Sequence, residues 1–245
     1  MPYRRLPNTD TARLRALNAA YIKGKELHPF QLAYSQSTFT KVELFINSFE
    51  KAMAHYKSAY SIQVEKSKDF NTIMKKARLY LSHFIQVLNM AIERSDLPSK
   101  IRTSFGLDQD EKKTPSLSTE KELIEWGKRI IAAETDRIKQ NQAPITNPTI
   151  AVVKVRFENF IDAYNYQKIL QQNTQRYLSE LNTLREKADE IILNIWNEVE
   201  DKLKDLPDEA KREKAAEYGV VYFYRKNELK GLQLIERTLF DMATP

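Results

Sequence analysis

The chain has 245 residues, of which 42% are hydrophobic and 29% charged, and it carries a net charge of +6. It contains no Cys, which excludes disulfides, thiol nucleophiles and Cys-ligated zinc or iron–sulfur centres. Its 5 glycines are far fewer than the usual share of about 7%, which argues against folds built on many tight turns or phosphate-cradling loops.

Asn8-Thr9-Asp10 forms an N-cap cluster, because short oxygens accept the orphan amides of a first helical turn. The helix it opens carries Ala12, Leu14, Leu17, Ala20 and Tyr21, weakens at Gly24 and is broken by His28-Pro29. Its apolar stripe is thin, so an arm laid on something larger is expected. Val42, Phe45, Phe49, Ala52, Tyr56, Ala59 and Tyr60 then recur at steps of three and four, which predicts a helix over about 38–66. Phe70, Ile73, Ala77, Leu81, Phe84, Leu88 and Ile92 predict a second, ending near Asp96-Leu97-Pro98. A corner near Ser67 is placed only by the phase of the pattern, and one continuous helix is the alternative.

Residues 108–117 are polar and unpatterned, as a surface loop requires. Thr119-Glu120-Lys121-Glu122 matches a capping box, followed by Leu123, Gly127, Ile130, Ile131 and Ile138. A polar break runs from Asn141 to Pro148. Asn147-Pro148 reads as an N-cap with Pro in the first helical position. The β-branched run Ile150–Val155 admits a strand, but Val153, Phe157, Phe160, Tyr164 and Leu170 continue it with helical period, and helix is preferred. Leu181, Leu184, Ala188, Ile191, Ile195, Val199 and Leu203 form the last long stripe, before Leu206-Pro207. Asp208–Glu217 is a short charged helix ended by Gly219. Val220–Tyr224 is the best strand candidate, flanked by Arg225 and Lys226 as charged gatekeepers. Leu232, Ile235 and Leu239 indicate a weak C-terminal helix.

The two long helical stretches resemble each other. Phe70–Ala77 lines up with Leu181–Ala188 at an offset of 111, with Phe49 opposite Phe160 and Phe84 opposite Ile195. Leu97-Pro98 is echoed by Leu206-Pro207, and Phe105-Gly106-Leu107 by Tyr218-Gly219-Val220. Duplication is the favoured reading, because amphipathicity alone does not explain the shared stops. The expected architecture is therefore all-α: a single helical domain over 1–245 holding a four-helix bundle made of a duplicated helical hairpin. Pseudo-repeats cover about 38–107 and 148–224, with a connecting helix region over 108–147, extra helices near 9–25 and 119–140 and a tail over 225–245. A short two-stranded β ribbon joining the segments near Phe105 and Val220 is expected with it.

Catalytic chemistry finds no motif. Glu-x-x-His, phosphate-loop and dinucleotide fingerprints and Gly-x-Ser-x-Gly are absent, so no catalytic residue, metal ligand or cofactor is expected. Of the three histidines, His55 and His83 are placed on neighbouring antiparallel helices without converging carboxylates. Glu190, Glu198, Glu200 and Asp201 read as a solvated face, and Trp126 and Trp196 as core. Residues 1–107 hold 17 Lys/Arg and 8 Asp/Glu, a balance of +9, and residues 108–245 hold 22 and 25, a balance of −3. The basic half gathers Lys66, Lys68, Lys75, Lys76 and Arg78 beside Tyr80, candidates for phosphate contact with nucleic acid. The segment Tyr164–Tyr177 is rich in amides and tyrosines. Its Tyr164, Gln167, Gln171 and Thr174 fall at or beside core positions, where amides either form a register-fixing polar layer or line a wet pocket.

The opening Tyr3-Arg4-Arg5-Leu6-Pro7-Asn8-Thr9-Asp10 and the strings Ser82–Asn89 and Tyr218–Tyr222 resemble an uncharacterised bacterial family of helical proteins. The resemblance implies a bacterial cytosolic setting and an all-α fold, and no activity. No stretch approaches the ~20 apolar residues of a membrane span. The N-terminus lacks the apolar run of a secretory signal, so a cytoplasmic protein is expected. The first functional expectation is a non-enzymatic interaction or scaffold protein with a protein partner or self-association. A nucleic-acid-binding module in the basic half is the alternative, and a small-ligand binder or enzyme at the polar layer is a third.

Overall fold

From Gln36 to Glu93 the chain contains neither Gly nor Pro, and it forms one uninterrupted helix of 58 residues. The corner expected near Ser67 is not there. The polar run Glu65–Asp69 breaks the apolar phase but not the backbone ladder, and Lys66 pairs with Asp69 one turn on at 3.4 Å. Where two helices of a hairpin were expected, one helix runs on. The same is true later: Ile150–Lys202 is a single helix of 53 residues, with the amide-rich segment inside it. His55 and His83 accordingly ride on one helix.

The computed structural model describes residues 3–109 and 113–223. Its elements are β1 (Tyr3–Arg4), α1 (Asp10–Glu26), α2 (Gln36–Glu93), α3 (Ile101–Ser104), α4 (Glu120–Lys139), α5 (Ile150–Lys202), α6 (Asp208–Ala216) and β2 (Tyr222–Phe223). The class is all-α. The expected ribbon exists, but β2 pairs antiparallel with β1, Tyr3 opposite Phe223 and Arg4 opposite Tyr222; the Phe105 segment takes no part. The expectations for Tyr224, Arg225, Lys226, Leu232, Ile235 and Leu239 lie outside the described residues. The helix expected from Asn147-Pro148 begins two residues later, at Ile150, after a turn in which Asn147 takes a left-handed φ of 58°.

The chain divides into two compact units, one from Met1–Ser58 with Gln175–Pro245 and one from Ala59–Thr174. In unit 1, α1 lies on the long helices, with Leu17 and Ala20 fully buried against Val42 and Phe49 of α2 and Ile192, Trp196 and Val199 of α5. Thr9 caps α1, accepting from the Ala12 N–H at 3.2 Å. Two bidentate pairs clamp α1 to α5, Arg13 to Asp189 at 2.8 Å and Arg185 to Asp10 at 2.6–2.7 Å. The loop after α1 is tied back by Tyr34, whose hydroxyl donates to the Ala20 carbonyl at 2.8 Å. Two of the acids assigned to a solvated face are instead engaged. Glu200 accepts from Arg4 and the Tyr222 hydroxyl, holding the strand pair on α5. Glu198 accepts from the Thr38 hydroxyl at 2.6 Å and the Ser35 N–H at 2.5 Å. Burial pushes the Glu198 carboxyl up, but these bonds outweigh it and hold it below its ordinary value.

In unit 2, α4 starts with the expected capping box. The Thr119 hydroxyl accepts from the Glu122 N–H at 3.2 Å, and the Glu122 carboxylate accepts from the Thr119 N–H at 2.9 Å. Leu123 and Ile130 of α4 join Leu81, Phe84 and Leu88 of α2, Phe160 of α5 and Phe105 in an apolar core. Glu134 is fully buried in it, accepting from Arg137 and from the Ile145 N–H, both at 2.8 Å.

The buried positions of the two units fall in register. Phe70, Ala77, Leu81, Phe84, Ile85 and Leu88 line the core of unit 2; Leu181, Ala188, Ile192, Ile195, Trp196 and Val199, each 111 positions later, line that of unit 1. The stops agree as well. Gly106 follows α3 with φ 71° and Gly219 follows α6 with φ 83°. In each case the residue after the glycine donates its N–H five residues back, Leu107 to Arg102 and Val220 to Ala215. This is the left-handed helix stop for which glycine carries no Cβ penalty.

Candidate polar cleft of unit 2

Three of the nine sequence candidates, Lys66, Lys76 and Gln167, line one cleft of about 520 Å³ in unit 2. From α2 come Lys66, Asp69, Phe70, Ile73 and Lys76, spaced by helical steps so that they share a face. From α5 come Arg156, Asn159, Asp162, Ala163, Tyr166 and Gln167, again one face. Phe70 stacks on Phe160, ring centroids 6.1 Å apart, and forms the apolar floor.

Of the basic candidates, Lys66 and Lys76 line the cleft, whereas Lys68 and Lys75 are exposed and do not. Arg78 turns away and donates to the Ser118 carbonyl at 2.7 Å. Tyr80 is half-buried on the core beneath the Arg156 guanidinium, which lies 5.5 Å from its ring. Of the polar-layer candidates, Gln167 is 5% exposed and lines the cleft. Thr174 is buried and bonds its own helix at Leu170. Tyr164 packs partly buried on the core, and Gln171 is exposed. The layer therefore reduces to Gln167. Arg156, Asn159 and Ala163 were missed, although they precede Gln167 at 11, 8 and 4 positions on the same face.

Two buried polar atoms of the lining residues have no hydrogen-bond partner among the described residues, Gln167 Oε1 and Arg156 Nε. Lys66 is shared with Asp69, while no carboxylate pairs with Lys76 or Arg156 among the described residues. The arrangement can bind: it offers cations, an unsatisfied amide and the half-exposed ring of Tyr166 over an apolar floor. No group of three His, Cys, Asp or Glu among the described residues is placed to hold a metal ion. No helix among them is long and apolar enough to cross a membrane. In comparison with known proteins, no family model, no curated protein and no solved structure matches this chain.

Proposed function

We propose that this is a non-enzymatic binding protein whose polar cleft holds a small anionic ligand bearing hydrogen-bond donors. The observation that carries the reading is the buried, partnerless Gln167 amide in a cleft that also presents Lys76 and Arg156. An unsatisfied buried acceptor costs about 1–3 kcal/mol, and a ligand donor recovers that cost while its anionic group meets the cations. A helix face serving only as a scaffold surface leaves the orphan amide unexplained. The cleft favours a small molecule over a polynucleotide: two of its charges are the acids Asp69 and Asp162, and the remaining basic candidates point elsewhere.

Calorimetric titration with inorganic phosphate, adenosine monophosphate and a ten-nucleotide oligouridylate tests it. Adenosine monophosphate is expected to bind more tightly than phosphate alone, with Gln167→Leu weakening it about tenfold. No binding of any probe at millimolar concentration, or unchanged binding by the variant, overturns the proposal. Preference for the oligonucleotide replaces it with the nucleic-acid reading.

A further inference from the structure

Unit 1 holds a second cleft, of about 770 Å³, within the range of small-molecule sites. Its walls are apolar: Leu6 and Pro7, the α1 face of Ala12, Ala16 and Ala19, Trp196, and the Val220-Val221 step. Three arginines stand among them, Arg5, Arg15 and Arg212, against the single acid Glu213. Arg212 already reaches Asp208 at 3.7 Å, and Arg5 lies over the Phe223 ring at 5.4 Å. No carboxylate pairs with Arg5 or Arg15 among the described residues.

Unit 2 shows what this position looks like when the chain fills it. The capped starts Thr9 and Thr119 set α1 and α4 in register at an offset of 110, and the stop glycines agree: Gly219 abuts Ala16 and Ala19, and Gly106 abuts Arg129. At that offset Ala16 corresponds to Trp126 and Ala19 to Arg129, and the Arg129 guanidinium lies 4.6 Å from the Trp126 ring. Unit 2 thus puts a large apolar ring under a planar cation at this place. Unit 1 has two alanines there and a cleft, and it has Arg15 where unit 2 has Glu125.

We infer that the unit 1 cleft binds an amphiphilic anion, a long-chain carboxylate, whose apolar body lies on Ala12, Ala19 and Val221 beside the buried Trp196 and whose head meets Arg5 and Arg15. Apolar walls supply affinity by area removed from water, and the unpaired guanidiniums select the sign of the head group.

The test uses the full chain carrying Trp126→Phe, so that emission reports Trp196 alone, titrated with dodecanoate, dodecanol and dodecyltrimethylammonium below their micelle concentrations. Dodecanoate is expected to bind about tenfold more tightly than dodecanol, and the ammonium weakest. Arg5→Glu with Arg15→Glu, at exposed positions, should cost dodecanoate about tenfold and invert its order with the ammonium. Ala12→Trp should block dodecanoate while the Tm is kept. Equal binding of the three amphiphiles, binding of none, or charge reversal without effect overturns the inference. An acidic amphiphile displaced by phosphate alone overturns it too, since the apolar walls would then contribute nothing.

Discussion

On the inner face of α1, unit 1 places Arg13, bridged bidentately to Asp189; at the corresponding point of α4, unit 2 places Leu123, fully buried. Three turns further on the roles reverse. Unit 1 has Gly24 and Leu27, and unit 2 has the buried pair Glu134 and Arg137. The loop after each short helix is also tied down differently, by the Tyr34 hydroxyl in one and by the Ile145 N–H on Glu134 in the other. Across these exchanges the apolar register holds at six buried pairs of positions. The comparison teaches that spacing of apolar groups and the two glycine stops set this fold, while polar groups vary as long as each finds a partner. The stretches that match are short helix, long helix and short helix with its glycine stop, in place of a hairpin.

The largest test of that contrast is removal of Glu134. In Glu134→Ala the Arg137 guanidinium, 4% exposed, loses its carboxylate and the Ile145 N–H loses its acceptor. The expected loss is about 3–5 kcal/mol. Arg13→Ala removes a part-exposed pair and should cost about 1 kcal/mol. Trp126 lies in unit 2 and Trp196 in unit 1, so fluorotryptophan resonances followed through urea unfolding report on each. Equal losses in the two variants would dissolve the distinction between a buried pair and a rim pair.

The glycine stops come next. Both stand at positive φ, where alanine costs about 1–2 kcal/mol. They differ in what an added Cβ meets. At Gly106 it meets Arg129 Cδ at 2.5 Å, part of a long side chain that can move aside. At Gly219 it meets the Ala16 backbone, carbonyl oxygen at 2.9 Å and Cα at 3.0 Å, which cannot move without shifting α1. Gly106→Ala should therefore cost about 1–2 kcal/mol and Gly219→Ala about 1 kcal/mol more, read as urea midpoints. Equal costs would mean that α1 yields at Ala16.

Local signals were legible in the chain and non-local ones were not. The Thr9 and Thr119 caps, the stripes from Val42, Phe70 and Leu181 and the Gly219 stop are written in neighbouring residues, and each stands where expected, whereas α3 ahead of Gly106 was not foreseen. The corner near Ser67 was misplaced because loss of apolar phase marks where the core ends, and a helix of good formers continues past its core. The partner of β2 was misplaced because strand pairing depends on which chain segment arrives, and Tyr3 lies more than 200 positions from Phe223. Gln167 was legible as a polar residue on an apolar stripe, and it is buried. The unit 1 cleft left no local trace: Ala12, Ala16 and Ala19 look like good helix formers until Trp126 and Arg129 show what a filled position holds.

The weakest effect comes from a further difference between the two helix starts. Glu122 completes the box at Thr119, whereas α1 has Ala12 three residues after its Thr9 cap and no carboxylate there. The Thr119 N–H, with the Ser118 and Ser116 hydroxyls, holds the Glu122 carboxyl down to about 2, from an ordinary 4.5. A folded value below the unfolded one makes the native state the weaker proton binder. The contribution is therefore complete above about pH 5 and is lost as the pH falls toward 2. Glu122→Gln keeps a hydrogen-bonding side chain at the third position but removes the titrating group. The variant should flatten the acid side of the stability profile reported by Trp126 and leave the Trp196 profile as it was. A slope unchanged at Trp126 would assign the acid sensitivity of unit 2 to carboxylates other than this cap, and would remove the helix start from the differences between the units.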